Sequence, residues 1–265
     1  MDTLQGVSAT SLLTLYVRAI DASTAQPVLG DKKAGAIWRQ VKESIDYTSW
    51  KTAKKSYYGI LARAFIIDRE VKKFLSLHPD SIVISLGCGL DTRFYRIDNG
   101  FIDWYNVDFP EIIHLREQFL TPHKRIHNIG ASLLDAAWAK QVDTIGRPVL
   151  FVSEGVFMYF TTSDIQKILQ ILQTNFSCFT MYLDLLSKYL VHHSKQHDMC
   201  RYMEAEFTWG SQHGKEIVMW APRIKQTDLL SFTPKLLQIG PWYWRFMAPI
   251  MYILNNRLGI YEYKR

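Results

Sequence analysis

Residues 81–87, SIVISLG, form a short apolar run rich in β-branched side chains that stops at a glycine. A run of this kind fits a strand of a parallel sheet covered on both faces, where no side chain has to meet water. Comparable runs follow at 103–107, 125–129, 149–153 and 178–183, separated by helix-compatible stretches such as 110–120 and 163–174. Strands alternating with helices imply a doubly wound α/β sheet with helices on both faces.

The flanks read differently. Apolar residues recur at three- and four-residue spacing over 8–20, 32–45 and 57–77, which predicts an N-terminal helical cap. The polar and aromatic stretch 185–220 is mostly helix-compatible and is placed where a substrate cover could be inserted. Residues 242–255 read as a helix, and the ending GIYEYKR as a last strand. A chain of 265 residues is accommodated by one unit: a cap over 1–80, a ligand-binding core over 81–184, and a cover with the final strands over 185–265.

Composition narrows the function classes. Hydrophobic residues make up 48% of the chain, which sets aside a disordered protein. The start lacks a basic and apolar leader, and no run approaches the roughly 18–20 apolar residues of a membrane span, so a cytoplasmic protein without a membrane partner is expected. Cys88, Cys178 and Cys200 are odd in number and far apart, which points to reduced thiols. The net charge is +6, but Lys and Arg are mixed with Asp and Glu and form no stripe, so no nucleic-acid partner is expected.

The chemistry concentrates after the first strand, in SLGCGLDTRFYR. Gly87 and Gly89 allow a tight turn and a close approach of backbone to ligand. Asp108 ends the next strand about 20 residues on, where a carboxylate accepts hydrogen bonds from ribose hydroxyls. A nucleoside-containing cofactor is the shared implication. A dinucleotide site would place a third glycine at the helix entrance, and Asp91 and Thr92 stand there instead. Asp91 suits a cationic sulfonium better than a pyrophosphate, which favours S-adenosylmethionine; the same side chain also suits the start of the following helix.

At this point the chain resembles the leucine carboxyl methyltransferase family, in its bacterial branch related to polyketide O-methyltransferases. The resemblance rests on SATSLLTLYVRAID, ARAFIIDREVKKFL, SLGCGLDTRFYR, DWYNVDFPEII, ASLLDAAW and VLFVSEGVFMYF, in the family's order. It implies a class I methyltransferase fold, Rossmann-like and mostly parallel, with seven strands and the last one inserted antiparallel. It further implies that Arg63 holds the carboxylate of S-adenosylmethionine, that Gly87 and Gly89 border its methionyl part, and that Asp108 accepts from the ribose. Ser132 and Leu133 fall where Asp-Leu commonly borders the adenine, so Ser132 departs from the pattern, as does Asn106 where an acid is frequent. Glu154 matches an acidic residue near the methionyl end.

The resemblance implies O-methylation of a carboxylate or phenolic hydroxyl on a small molecule, a polyketide-like compound included, in preference to a protein C-terminus. An NAD(P)-dependent oxidoreductase and a non-catalytic S-adenosylmethionine-binding protein are the alternatives. Arg201, Arg223 and Arg245 are candidate cations for orienting a carboxylate, and His213 or Tyr159 candidate bases for a phenol. Trp209, Trp220, Trp242, Tyr243 and Trp244 read equally as a lid and as core. His192, His193, His197 and Cys200 include a helical i, i+4 histidine pair, but without clear further ligands a polar helix is preferred and no metal is expected.

Overall fold

The computed structural model describes residues 9–192 and 207–265. Seven strands form one sheet in the order β3-β2-β1-β4-β5-β7-β6. They are β1 (Ile82–Leu86), β2 (Asp103–Asp108), β3 (Ile126–Gly130), β4 (Val149–Ser153), β5 (Cys178–Leu185), β6 (Ile224–Ser231) and β7 (Arg257–Lys264). The first five run parallel, and β7 lies antiparallel between β5 and β6. This is the seven-stranded, mostly parallel sheet expected of the class I fold.

The two faces of the sheet follow from the period of two along each strand. Ile82, Ile84 and Leu86 point to one face, where they join Phe151, Trp138 and the apolar stripe of α6 (Thr162–Asn175). Val83 points to the other, against Phe94, Leu150 and the second half of α3 (Lys54–Leu77). A capping box of Thr161 and Asp164 starts α6, satisfying backbone groups that a helix end leaves without partners.

The cap differs from expectation in one respect. The first half of α3 packs through Ile60 and Leu61 on α1 (Ala9–Ala22) and α2 (Lys32–Val41), but from Ile66 onward it covers the sheet. Helix α3 is therefore a strut shared by cap and core, and Arg63 lies where its partner changes. Strand β6 was not singled out by the sequence reading: IKQTDLLS is half-exposed at the sheet edge and broken by a bulge between Gln226 and Asp228, so it lacks a continuous apolar run. Within 185–220, β5 continues to Leu185, and the described helices are α7 (Lys188–His192) and α8 (Lys215–Trp220).

The direction of the chain reverses across the sheet between β1 and β4, since β1 is continued outward by β2 and β3, and β4 by β5. In an open α/β sheet the crevice at the carboxyl ends of such strands is the place where ligands bind.

Candidate functional site

A cavity of about 350 Å³ opens in that crevice, lined by the turn after β1, the end of β2, the turn after β4, and parts of α1 and α3. Its volume falls in the roughly 300–1,000 Å³ range of cofactor sites. Of the expected site residues, Arg63, Gly87, Gly89, Asp91, Asp108 and Glu154 stand on its wall.

The floor is the Gly87–Gly89 turn. Both glycines have left-handed backbone, with φ of 67° and 48°. A Cβ at Gly87 would lie 2.5 Å from Val156 Cγ2, and one at Gly89 2.7 Å from Ser11 Oγ, so side chains are excluded by space as well as by conformation. The Gly87 N–H donates to the Val107 carbonyl at 2.8 Å, fixing the turn to β2.

Asp108 closes the turn from the other side. Its Oδ2 accepts from the Gly89 N–H at 2.7 Å and its Oδ1 from the Phe109 N–H at 2.8 Å. Burial pushes its carboxyl above the usual range, against the pull of these two amides. Each oxygen keeps a lone pair for a further donor, which is what a pair of ribose hydroxyls requires.

Arg63 and Glu154 meet across the cavity wall. Arg63 Nε donates to Glu154 Oε1 at 2.9 Å and Nη1 to Asp184 Oδ2 at 3.1 Å. Arg93 Nη2 donates to the other Glu154 oxygen. Burial pushes the Glu154 carboxyl up, but Arg63 and Arg93 outweigh it and hold it below its ordinary range. Asp184 keeps the opposite balance, with burial dominant over Arg63 and the carboxyl raised. A Cβ at Gly155 would begin 3.3 Å from Arg63 Nη2, so glycine there leaves that nitrogen room beside the cavity.

The structure changes the reading of Asp91. Its Oδ1 accepts from Arg18 Nη1 at 2.7 Å and from the Arg93 N–H at 3.0 Å, and its Oδ2 accepts from Arg93 Nη1 at 2.7 Å. Burial is outweighed by Arg93, Arg18, Arg96 and Arg116, which hold the carboxyl far below its ordinary range. Asp91 therefore orders the loop and neutralises guanidinium groups, and its charge is largely compensated before any ligand arrives.

Ser132 and Leu133 are not on the described cavity wall. Ser132 Oγ accepts from the Leu134 N–H at 3.2 Å, and Leu133 is buried in the core. They follow Gly130, the β3 partner of Asp108. Asn106 donates to Asn128 across β2 and β3 and receives the Trp104 indole N–H, a structural role.

Arg18, Arg93 and Asp184 were missed as members of the site. A signal existed for Arg18 and Asp184, since each is a charge inside an apolar run, LYVRAI and MYLDLL, and such a charge is rarely buried without a partner. Cys88 lines the cavity, but burial raises its thiol to about 12, which removes it as a nucleophile. Tyr159 is on the wall, with its hydroxyl 3.2 Å from Thr10 Oγ1. His213, Arg223 and Arg245 are exposed and are not among the lining residues. Trp209 and Trp220 pack on the core, and Trp242 and Tyr243 face solvent. His193, His197, Cys200 and Arg201 lie outside the described residues; among those described, no three His, Cys, Asp or Glu are grouped to hold a metal.

Known proteins of this kind share both sequence and fold with the chain. TcmP of Streptomyces glaucescens, an O-methyltransferase of tetracenomycin polyketide synthesis, is 31% identical over 225 residues, spanning 84% of this chain and 82% of TcmP. The S-adenosyl-L-methionine-dependent methyltransferase dpfgK of Gibberella zeae is 24% identical over 263 residues, spanning 91% and 88%. Among solved structures, a duf574 family protein of Streptomyces avermitilis superposes with a TM-score of 0.61 at 11% identity, covering 99% of this chain and 100% of that one, which supports the fold alone. Residues 11–173 match the leucine carboxyl methyltransferase family. With the glycine turn, Asp108, Arg63 and Glu154 at the switch point of the sheet, the chain belongs to the leucine carboxyl methyltransferase family of S-adenosylmethionine-dependent methyltransferases.

Proposed function

We propose that this methyltransferase acts on an oxygen of a small molecule, and that the oxygen is a carboxylate in preference to a phenol. The observation that carries the preference is the state of the described wall. Asp91 and Glu154 are bound by arginines, Asp108 by backbone N–H groups, Cys88 is held protonated by burial, and no histidine lines the wall; of its other acid and phenol, Glu111 is exposed to solvent and the Tyr159 hydroxyl lies 3.2 Å from Thr10 Oγ1. A phenol needs a base to take its proton, whereas a carboxylate is already ionised and needs alignment and exclusion of water. The O-methyltransferase TcmP supports oxygen as the acceptor and a polyketide-like acid as a compound to try.

S-Adenosylmethionine, when bound, supplies an activated methyl group on a positive sulfur. The chain supplies placement. Asp108 receives the ribose hydroxyls on the lone pairs its two amide bonds leave open. The Gly87–Gly89 turn would let the backbone approach the methionyl part, and Arg63, with Nε and Nη1 held by Glu154 and Asp184, would hold its carboxylate through Nη2. Glu154, with one oxygen on Arg63 and the other on Arg93, would fix the Arg63 guanidinium beside the methionyl end. Phe109 and Ile112, which follow Asp108 on the wall, offer apolar surface towards the adenine side with Ser132 and Leu133 beyond them.

Calorimetric titration with S-adenosylhomocysteine tests the cofactor site, with micromolar affinity expected. Incubation with methyl-labelled S-adenosylmethionine and matched panels of aromatic acids and phenols then tests the acceptor. Alkali-labile methyl esters support the carboxylate reading, and stable methyl ethers from the phenols alone overturn it.

A further inference from the structure

The connection from β6 to β7 holds a surface that the methyl-transfer site does not use. Seven of the thirteen large apolar side chains exposed among the described residues fall within 242–253. Trp242 and Phe246 are 71% and 79% exposed, and Tyr243, Met247, Ile250 and Ile253 are each more than half exposed. They lie on a 3-10 turn (Trp242–Met247) and on α10 (Ala248–Leu254), a paired structure tied to the fold by Thr233 Oγ1 donating to the Met251 carbonyl and by Gln212 donating to that of Ile253. Clustered exposed apolar surface marks an interaction face, whereas scattered residues would not.

Charge says what covers it. From 229 to 261 the sequence contains no Asp or Glu, while Lys235 and Arg245 are present. The Trp244 ring meets the Tyr58 ring edge-on at 5.5 Å, which joins this segment to the start of α3. There the sequence is again free of acids, from 47 to 67, and includes the exposed Lys51. A two-fold contact between copies would bring these cations towards their own equivalents with no carboxylate from either segment to answer them. An anionic lipid surface answers both features, since Trp and Tyr favour the interfacial layer and basic residues favour acidic headgroups.

Position ties the face to the site. Ser231 pairs with Arg257, and Arg257 with Leu185 at the end of β5, so the connection leaves the carboxyl end of the sheet, the end that carries the cavity. Tyr58 stands two residues before Ile60 on the cavity wall. We infer that the protein docks on anionic membrane surfaces through 242–253. On the methyltransferase reading above, on which this consequence rests, its acceptor is then a lipophilic acid taken from the bilayer surface. The expectation of no membrane partner came from the lack of a spanning segment, a criterion that a surface-docking face escapes; no described helix is long and apolar enough to cross.

The test is co-sedimentation of the full chain with vesicles of phosphatidylcholine alone or with about one-third phosphatidylglycerol. Binding to the anionic vesicles, weakened by salt, is expected, with Trp242→Asp/Phe246→Asp lowering it by about tenfold or more. Arg245→Glu should weaken binding to the anionic vesicles only. Absence of wild-type binding, or undiminished binding by the double variant, overturns the inference. So does a wild-type dimer, seen by sedimentation velocity without vesicle binding, that the double variant converts to monomer. Titration of each sample with S-adenosylhomocysteine keeps the two readings separate: intact cofactor binding without vesicle binding sinks only the docking face, and the reverse sinks only the cofactor site.

Discussion

Arg63 and Glu154, 91 residues apart in sequence, are joined Nε to Oε1 at 2.9 Å on the wall of the cavity. The same guanidinium reaches Asp184, so one side chain from the strut helix ties together the ends of β4 and β5. Replacing it should do more than remove a ligand contact. Arg63→Met leaves Glu154 with Arg93 alone and Asp184 without its cation, and a broken buried ion pair costs about 3–5 kcal/mol. The expected outcome is that much lost stability in urea unfolding, together with weaker S-adenosylhomocysteine binding. Arg63→Lys should not restore it, because an ammonium cannot serve both carboxylates in the geometry of a planar fork. Near wild-type stability in either variant would show that the bridge is not a structural tie.

Asp108 presents a simpler case. Its two amide bonds hold the carboxylate in place whether or not cofactor is bound, so Asp108→Ala should weaken S-adenosylhomocysteine binding by about 1–3 kcal/mol, the scale of an unpaired polar contact. Asp108→Asn should fall between, since one oxygen is retained. Titration calorimetry reads the difference, and unchanged affinity in the alanine variant would remove Asp108 from the ribose site.

Gly87 separates space from conformation. Gly87→Ala places a methyl group against Val156 and requires a non-glycine residue at φ of 67°, a left-handed conformation costing about 1–2 kcal/mol. Adding Val156→Ala should recover the part due to the clash and leave the backbone part. Full recovery of stability and cofactor affinity in the double variant would mean that the turn tolerates a side chain and that only Val156 excludes it.

The legibility of this chain follows the burial of its parts. Strands β1, β2, β4 and β5 were readable because most of their residues are buried between the two covered faces, whereas β6, half-exposed with Asp228 and Gln226 at its bulge, gives no such signal. The turn glycines and Asp108 were readable because their chemistry is local to strand ends. The ion pairs were not: Arg18 meets Asp91 across 73 residues, Arg93 meets Glu154 across 61, and Arg63 meets Asp184 across 121. Sequence spacing contains no information on such pairings, which only the closed sheet creates. That is why Asp91 read as an acid suited to the cofactor or to the start of the following helix, and its place at the centre of an arginine cluster came only with the fold.

Asp91 also sets the response to acid. Its folded pKa is depressed, so its ion pairs contribute stability above the unfolded value of about 3.9 and lose that contribution as pH falls from there towards the folded value. Glu154, also depressed, acts in the same direction. Asp108 and Asp184 act in the opposite one, because burial raises their carboxyls and favours the folded state at low pH. The wild-type curve is the sum of all four, and comparison with Asp91→Asn isolates one of them. At neutral pH the variant leaves Arg18 and Arg93 short of a charge and should be less stable by about 3–5 kcal/mol. Below about pH 4 the unfolded carboxyl takes up its proton while the folded one stays ionised, so the gap should narrow as pH falls further towards the folded value. Urea unfolding of both proteins from neutral to acid pH measures it; a difference that stays constant throughout would mean that Asp91 is held by packing and hydrogen bonds, and that the arginine cluster does not control its ionisation.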